Sequence, residues 1–84
     1  MSYGQVAIEI AKKVAKECSL EYIEEHQTGS YVYLKNPRKN VSVMINYSTD
    51  LVEITINGVT KITYIDDLRK EYGSLEDALK SILC

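Results

Sequence analysis

The chain has no tryptophan, no phenylalanine, one proline and one histidine among its 84 residues, and only two cysteines. Each scarcity closes a route. His26, Cys18 and Cys84, with no CxxC pair among them, do not supply the ligand set of a zinc site. The glycines stand apart at Gly4, Gly29, Gly58 and Gly73, each suited to a turn or a helix end, and neither GxGxxG nor GxxxxGK[ST] is present to cradle a phosphate. His26 sits beside Glu24 and Glu25, and a histidine with a carboxylate is half of a catalytic pair. Cys18 precedes the same segment, but no serine or cysteine has a context that places a nucleophile there, so His26 reads as an exposed residue at a strand end. The acid clusters Glu21, Glu24, Glu25 and Asp66, Asp67 have the chemistry for Mg²⁺ or acid–base work. Asp66 and Asp67 precede a helical turn, however, where the helix dipole by itself favours acids. The expectation is therefore no catalytic residue, no cofactor, no metal and no enzyme.

No apolar run approaches the ~20 residues that span a bilayer. The N-terminal stretch MSYGQVAIEIAKK lacks the basic and uninterrupted apolar regions of a signal peptide. The expected location is the cytoplasm, with no membrane contact. There the compartment rule makes Cys18 and Cys84 reduced thiols. The competing reading is a Cys18–Cys84 bridge across most of the chain, stabilising by roughly 4 kcal/mol in the chain-entropy model.

What is present is a folded composition, 45% hydrophobic and 26% charged, in a length that holds one domain, residues 1–84. A core this small supplies only about 3–5 kcal/mol, so help from a second subunit or a crosslink is plausible. A net charge of −2 gives no global attraction to a polyanion.

Helical spacing marks both ends. Ser2 and Gln5 form a capping box. Val6, Ile10 and Val14, flanked by Ala7, Ala11, Ala15 and Cys18, make an apolar stripe narrow enough to lie close on a sheet. Near the other end, Asp66–Gly73 reads as a short helical turn stopped by Gly73. Ser74 then caps a helix with Glu76 and Asp77 in its first turn and Leu75, Ala78, Leu79 and Ile82 facing inward.

Between them the period is two. Residues 20–26 form a weak strand, followed by SYVYLKN (30–36), VSVMINY (41–47), LVEITIN (51–57) and VTKITYI (59–65). Asn57-Gly58 is the strongest short hairpin signal available. The expected fold is α+β: a two-layer sandwich with an antiparallel meander of four or five strands and the N- and C-terminal helices on one face. An α-β-β-β-α order is similar to the double-stranded RNA-binding domain. That domain starts its last helix with lysines, where this chain has the acidic GSLEDALKS, and no family is assigned.

The side of the sheet turned away from the helices then collects Tyr31, Tyr33, Lys35, Glu53, Thr55, Lys61 and Thr63, joined by Ser42, Met44 and Asn46. Three readings compete. The face is merely solvated, since tyrosine and threonine suit strands. Or the face, or a free edge of the sheet, binds protein, most simply a second copy, with Tyr31, Tyr33 and Met44 as anchors and Lys35 and Lys61 at a polar rim. Or Tyr31 and Tyr33 stack on single-stranded nucleic acid while Lys35, Arg38, Lys39 and Lys61 hold phosphates. The acidic balance and the lack of Phe, Trp or any RNP-like string favour the second: a homodimeric protein-binding module of the kind found among accessory proteins of viruses and mobile elements.

Overall fold

The computed structural model describes residues 3–84, so Ser2 of the expected capping box lies outside the described residues. The helical spacing at the two ends and the alternation between them resolve into α1 (Tyr3–Glu17), β1 (Glu21–Glu25), β2 (Tyr31–Asn36), β3 (Val41–Asn46), β4 (Leu51–Ile56), β5 (Val59–Tyr64), α2 (Ile65–Tyr72) and α3 (Leu75–Leu83). The five strands form one antiparallel meander in sequence order, an α+β fold.

The turns follow from the residues that end the strands. Glu25, Asn36 and Asn46 each close a strand and turn a side-chain oxygen onto the next backbone N–H groups. Glu25 Oε1 accepts from Gln27 and Thr28 at 2.7 and 3.1 Å. Asn36 Oδ1 accepts from Arg38 at 3.0 Å, and Asn46 Oδ1 from Ser48 and Thr49 at 2.9 and 3.1 Å. Such local bonds let the chain reverse without leaving polar backbone groups unmet. The fourth turn uses backbone geometry instead: Asn57 and Gly58 have φ of 50° and 84°, the two positive values of a type I′ hairpin.

That two-residue turn pairs Ile56 with Val59, and hence Ile54 with Lys61 and Val52 with Thr63. Partners in register share a face, so Val59, Lys61 and Thr63 lie on the helix side and Thr60, Ile62 and Tyr64 on the open side. Lys61 and Thr63 are therefore not on the open face, contrary to the sequence reading. Assigning β5 by its apolar residues inverts it, because a shift of one residue exchanges the faces of a strand.

The core lies between the sheet and the helices: Val32 and Leu34 of β2, Val41, Val43 and Ile45 of β3, and Val52 and Ile54 of β4. Helix α1 lies over β1 and β2, α3 lies over β3 and beside α1, and α2 packs on α3 at the end of β5. The buried stripe of α1 is Ala7, Ile8, Ala11, Val14 and Ala15, with Val6 and Ile10 only half-buried. Alanines under the helix let it sit close to the sheet. The N-terminal turn comes closer still: a Cβ on Gly4 would stand 2.7 Å from the Tyr47 carbonyl oxygen. At the other end Gly73, φ 94°, closes α2, and Ser74 Oγ accepts from Asp77 N–H at 3.0 Å to start α3. Its buried stripe is Leu75, Ala78, Leu79 and Leu83, with Ile82 at the margin.

Instead of two reduced thiols, Cys18 just after α1 and Cys84 just after α3 form a disulfide, with Cα atoms 5.8 Å apart. The β2–β3 turn reaches the same corner. Arg38 Nη2 donates to the Cys18 carbonyl at 3.2 Å, and Lys39 Nζ donates to that of Cys84. Among the described residues no helix is long and apolar enough to cross a membrane.

Candidate functional site

The open face is built in rows that cross the strands, because antiparallel register sets facing residues side by side. The central row is Ile23, Tyr33, Met44, Glu53 and Ile62, one residue from each strand. Toward one end lie Glu25, Tyr31, Asn46, Leu51 and Tyr64, and toward the other Glu21, Lys35, Ser42, Thr55 and Thr60. Thr55 and Thr60 share a hydroxyl–hydroxyl hydrogen bond of 2.9 Å. Tyr31, Tyr33, Lys35 and Met44 are thus brought together on one surface and half-buried by their neighbours.

The register adds three residues that alternation within single strands did not single out. Ile23 is 56% exposed, Ile62 59% and Tyr64 49%, and all three are on the open face. The signal that finds Ile62 and Tyr64 is the Asn57-Gly58 turn, since its loop length counts the register of β5 from that of β4, whereas Ile23 is placed by the pairing of β1 with β2.

The charges of this face are one cation and three acids: Lys35 opposite Glu21, with Glu25 and Glu53. The remaining cations proposed for phosphate lie elsewhere. Lys61 is on the helix side, and Arg38 and Lys39 bond backbone carbonyls at the disulfide corner.

A second polar group surrounds the histidine. Lys12 Nζ lies 3.3 Å from Glu24 Oε2, Glu24 Oε1 lies 3.2 Å from His26 Nε2, and His26 Nδ1 meets the Tyr47 hydroxyl. Burial works to raise the Glu24 carboxyl, but the bonds and charges of Lys12 and His26 outweigh it and hold the group below its ordinary range. Glu25 is likewise lowered, chiefly by its two backbone donors. Cys18 and His26 precede and follow opposite ends of β1, and the Cys18 sulfur is bonded to Cys84, so the two are not brought together. Asp66 pairs with Arg69 at 3.6 Å within α2. Under α1, beside Glu24, the Tyr22 hydroxyl is buried without a hydrogen-bond partner among the described residues, and burial pushes its phenol up. Among the described residues no group of three or more His, Cys, Asp or Glu side chains is arranged to hold a metal ion.

Compared with known protein families, characterised proteins and solved structures, the chain matches none.

Proposed function

We propose that this chain is a non-enzymatic protein-binding module that works through the open face or a free edge of its sheet, with a second copy of itself as partner. The observation that carries this reading is the central row, in which Ile23, Tyr33, Met44 and Ile62 cross the whole sheet with none of the described helices over them. Tyrosine and methionine are enriched at interface centres, and two-fold dimers are the commonest assemblies. Covering the face also adds apolar burial that a chain of this length needs. The nucleic-acid alternative has less support, since acids outnumber the cation on the face and Arg38 and Lys39 are turned to carbonyls. The cytoplasm remains the expected location, although a standing disulfide fits it best in a hyperthermophile and otherwise supports an oxidising compartment.

Light scattering on a sizing column, with absorbance at two wavelengths, tests the reading. The expected result is a dimer mass without co-eluting nucleic acid; where the copies meet face to face, Tyr31→Ser combined with Tyr33→Ser shifts that mass toward monomer while the far-UV circular dichroism stays native. A monomer at every concentration would overturn self-association. Binding to single-stranded nucleic acid that weakens steeply with salt would favour the alternative.

A further inference from the structure

The two edges of the sheet are unlike. β1 reads EYIEE and carries Glu21, Glu24 and Glu25, so its edge is guarded by like charge. β5 reads VTKITY, with no acid, no proline and an unbroken register along all six residues. Among the described residues no helix runs along it, α2 touching only its end, and every residue but Thr63 is exposed on one face or the other, Val59 to 73%. Its one charge is Lys61 on the helix side, a single guard against the three glutamates of β1, and an edge of that length so lightly guarded is a template for another strand.

The turn also decides which backbone groups are available. In a two-residue hairpin the flanking pair, here Ile56 and Val59, is hydrogen-bonded, and the pattern then alternates. Val59, Lys61 and Thr63 therefore direct their N–H and C=O groups at β4, while Thr60 and Ile62 direct both of theirs, and Tyr64 its N–H, out of the sheet; the Tyr64 carbonyl, at the N-cap, opens α2. Thr60, Ile62 and Tyr64 are the same residues whose side chains lie on the open face.

We propose that two copies join β5 to β5, antiparallel, about a two-fold axis at Ile62, making one continuous sheet of both meanders. Ile62 then faces Ile62 of the second copy, Thr60 faces its Tyr64, and Lys61 faces its Thr63. This register pairs all three outward-facing residues of each copy. The neighbouring register centred on Lys61 sets two lysines face to face, and one centred on Thr63 runs Thr60 onto the start of the second copy's α2. On the open side the exposed Ile62 and Tyr64 gain cross-strand neighbours, and the central row runs on into the second copy. On the helix side Val59 faces Ile65 of the second copy, where α2 opens with Asp66 and Asp67, acids that complement Lys61. The assembly is closed, because the edges left outside are the two glutamate-bearing β1 strands.

This inference rests on the self-associating reading above but sets the junction at the β5 edge, three strands from Tyr31 and Tyr33 of β2, so that their double substitution should leave this dimer's mass unchanged; one pair of measurements separates the two. Amide hydrogen exchange by NMR is followed across a dilution series of the whole chain, with the mass read in parallel. The expected result is that the Thr60, Ile62 and Tyr64 amides lose protection by roughly tenfold or more as dimer becomes monomer. Lys61 and Thr63, bonded to β4, should stay protected throughout. Ile62→Pro removes an outward N–H without touching a bond to β4, and should give a monomer. Should proline disturb folding, Thr60→Lys with Ile62→Lys sets four lysines along the seam and should also give a monomer. A dimer whose Thr60, Ile62 and Tyr64 amides exchange freely would overturn the edge junction and leave a face-to-face dimer. A monomer at all concentrations would overturn both, and masses growing beyond the dimer would mean that β5 pairs with β1 instead.

Discussion

Asn36 is the buried polar residue of the core, 2% exposed. Its Nδ2 donates to the Leu83 carbonyl at 2.7 Å and its Oδ1 accepts from Arg38 N–H at 3.0 Å. One side chain thus ties the end of β2 to the next turn and to the last turn of α3. Asn36→Ala would strand a buried carbonyl and an amide, and the expected loss is about 2–3 kcal/mol in urea unfolding. Lys35→Ala, one residue away on the open face, should change stability by less than about 0.5 kcal/mol. In the sequence Asn36 is only the first letter of a polar loop, NPRKN. Its burial was not legible, because the carbonyl it serves is supplied by residue 83, at the far end of the chain.

At the scale of elements, the β4–β5 hairpin shows how a local rule reaches the surface. Nothing lies within 4 Å of where a Cβ on Gly58 would stand, so substitution there meets no steric neighbour, only an unfavourable backbone conformation at φ 84°. Gly58→Ala is therefore expected to lower stability by about 1–2 kcal/mol, the left-handed penalty for an L-residue. The loss should appear first as faster amide exchange in β5, the strand with no helix along it. Gly58→Asn, which tolerates that region better, should recover part of the loss. The hairpin is legible from Asn57-Gly58. Its faces are not: hydrophobicity alone turns Ile62 and Tyr64 inward and Lys61 and Thr63 outward, whereas counting from the turn places them the other way round. Helix α1 is the milder case: its spacing marked the helix, but the sheet selected the alanine side, Ala7 and Ala11, as the centre of contact over the larger Val6 and Ile10.

Across the whole molecule, the Cys18–Cys84 bridge joins residues 66 positions apart and ties the end of α1 to the end of α3. Closing so long a loop stabilises by roughly 4 kcal/mol when the constraint acts on the unfolded chain. Cys18→Ser with Cys84→Ser, or reduction, should therefore lower the melting temperature by about 15 °C or more. The bridge is within one chain, so a β5-joined dimer should keep its mass in reductant for as long as the subunits stay folded. A mass that halves while circular dichroism remains native would show that the seam depends on the bridge.

The sequence by itself determined the elements: periods of two and of helical spacing, a glycine or capping residue at the helix ends, and turn residues close enough together that successive strands had to be antiparallel neighbours. These are local signals, each contained in a few consecutive residues. The sequence also brought Tyr31, Tyr33, Lys35 and Met44 to one surface, because alternation within β2 and β3 needs no partner. The tertiary structure alone decided that Lys61 lies under the sheet with the helices, that Asn36 is buried, that Arg38 and Lys39 turn to the disulfide corner, and that β5 keeps an open edge. Each depends on groups far apart in the chain: a helix layer that stops short of the last strand, and a carbonyl or a sulfur that arrives only when α3 closes the fold.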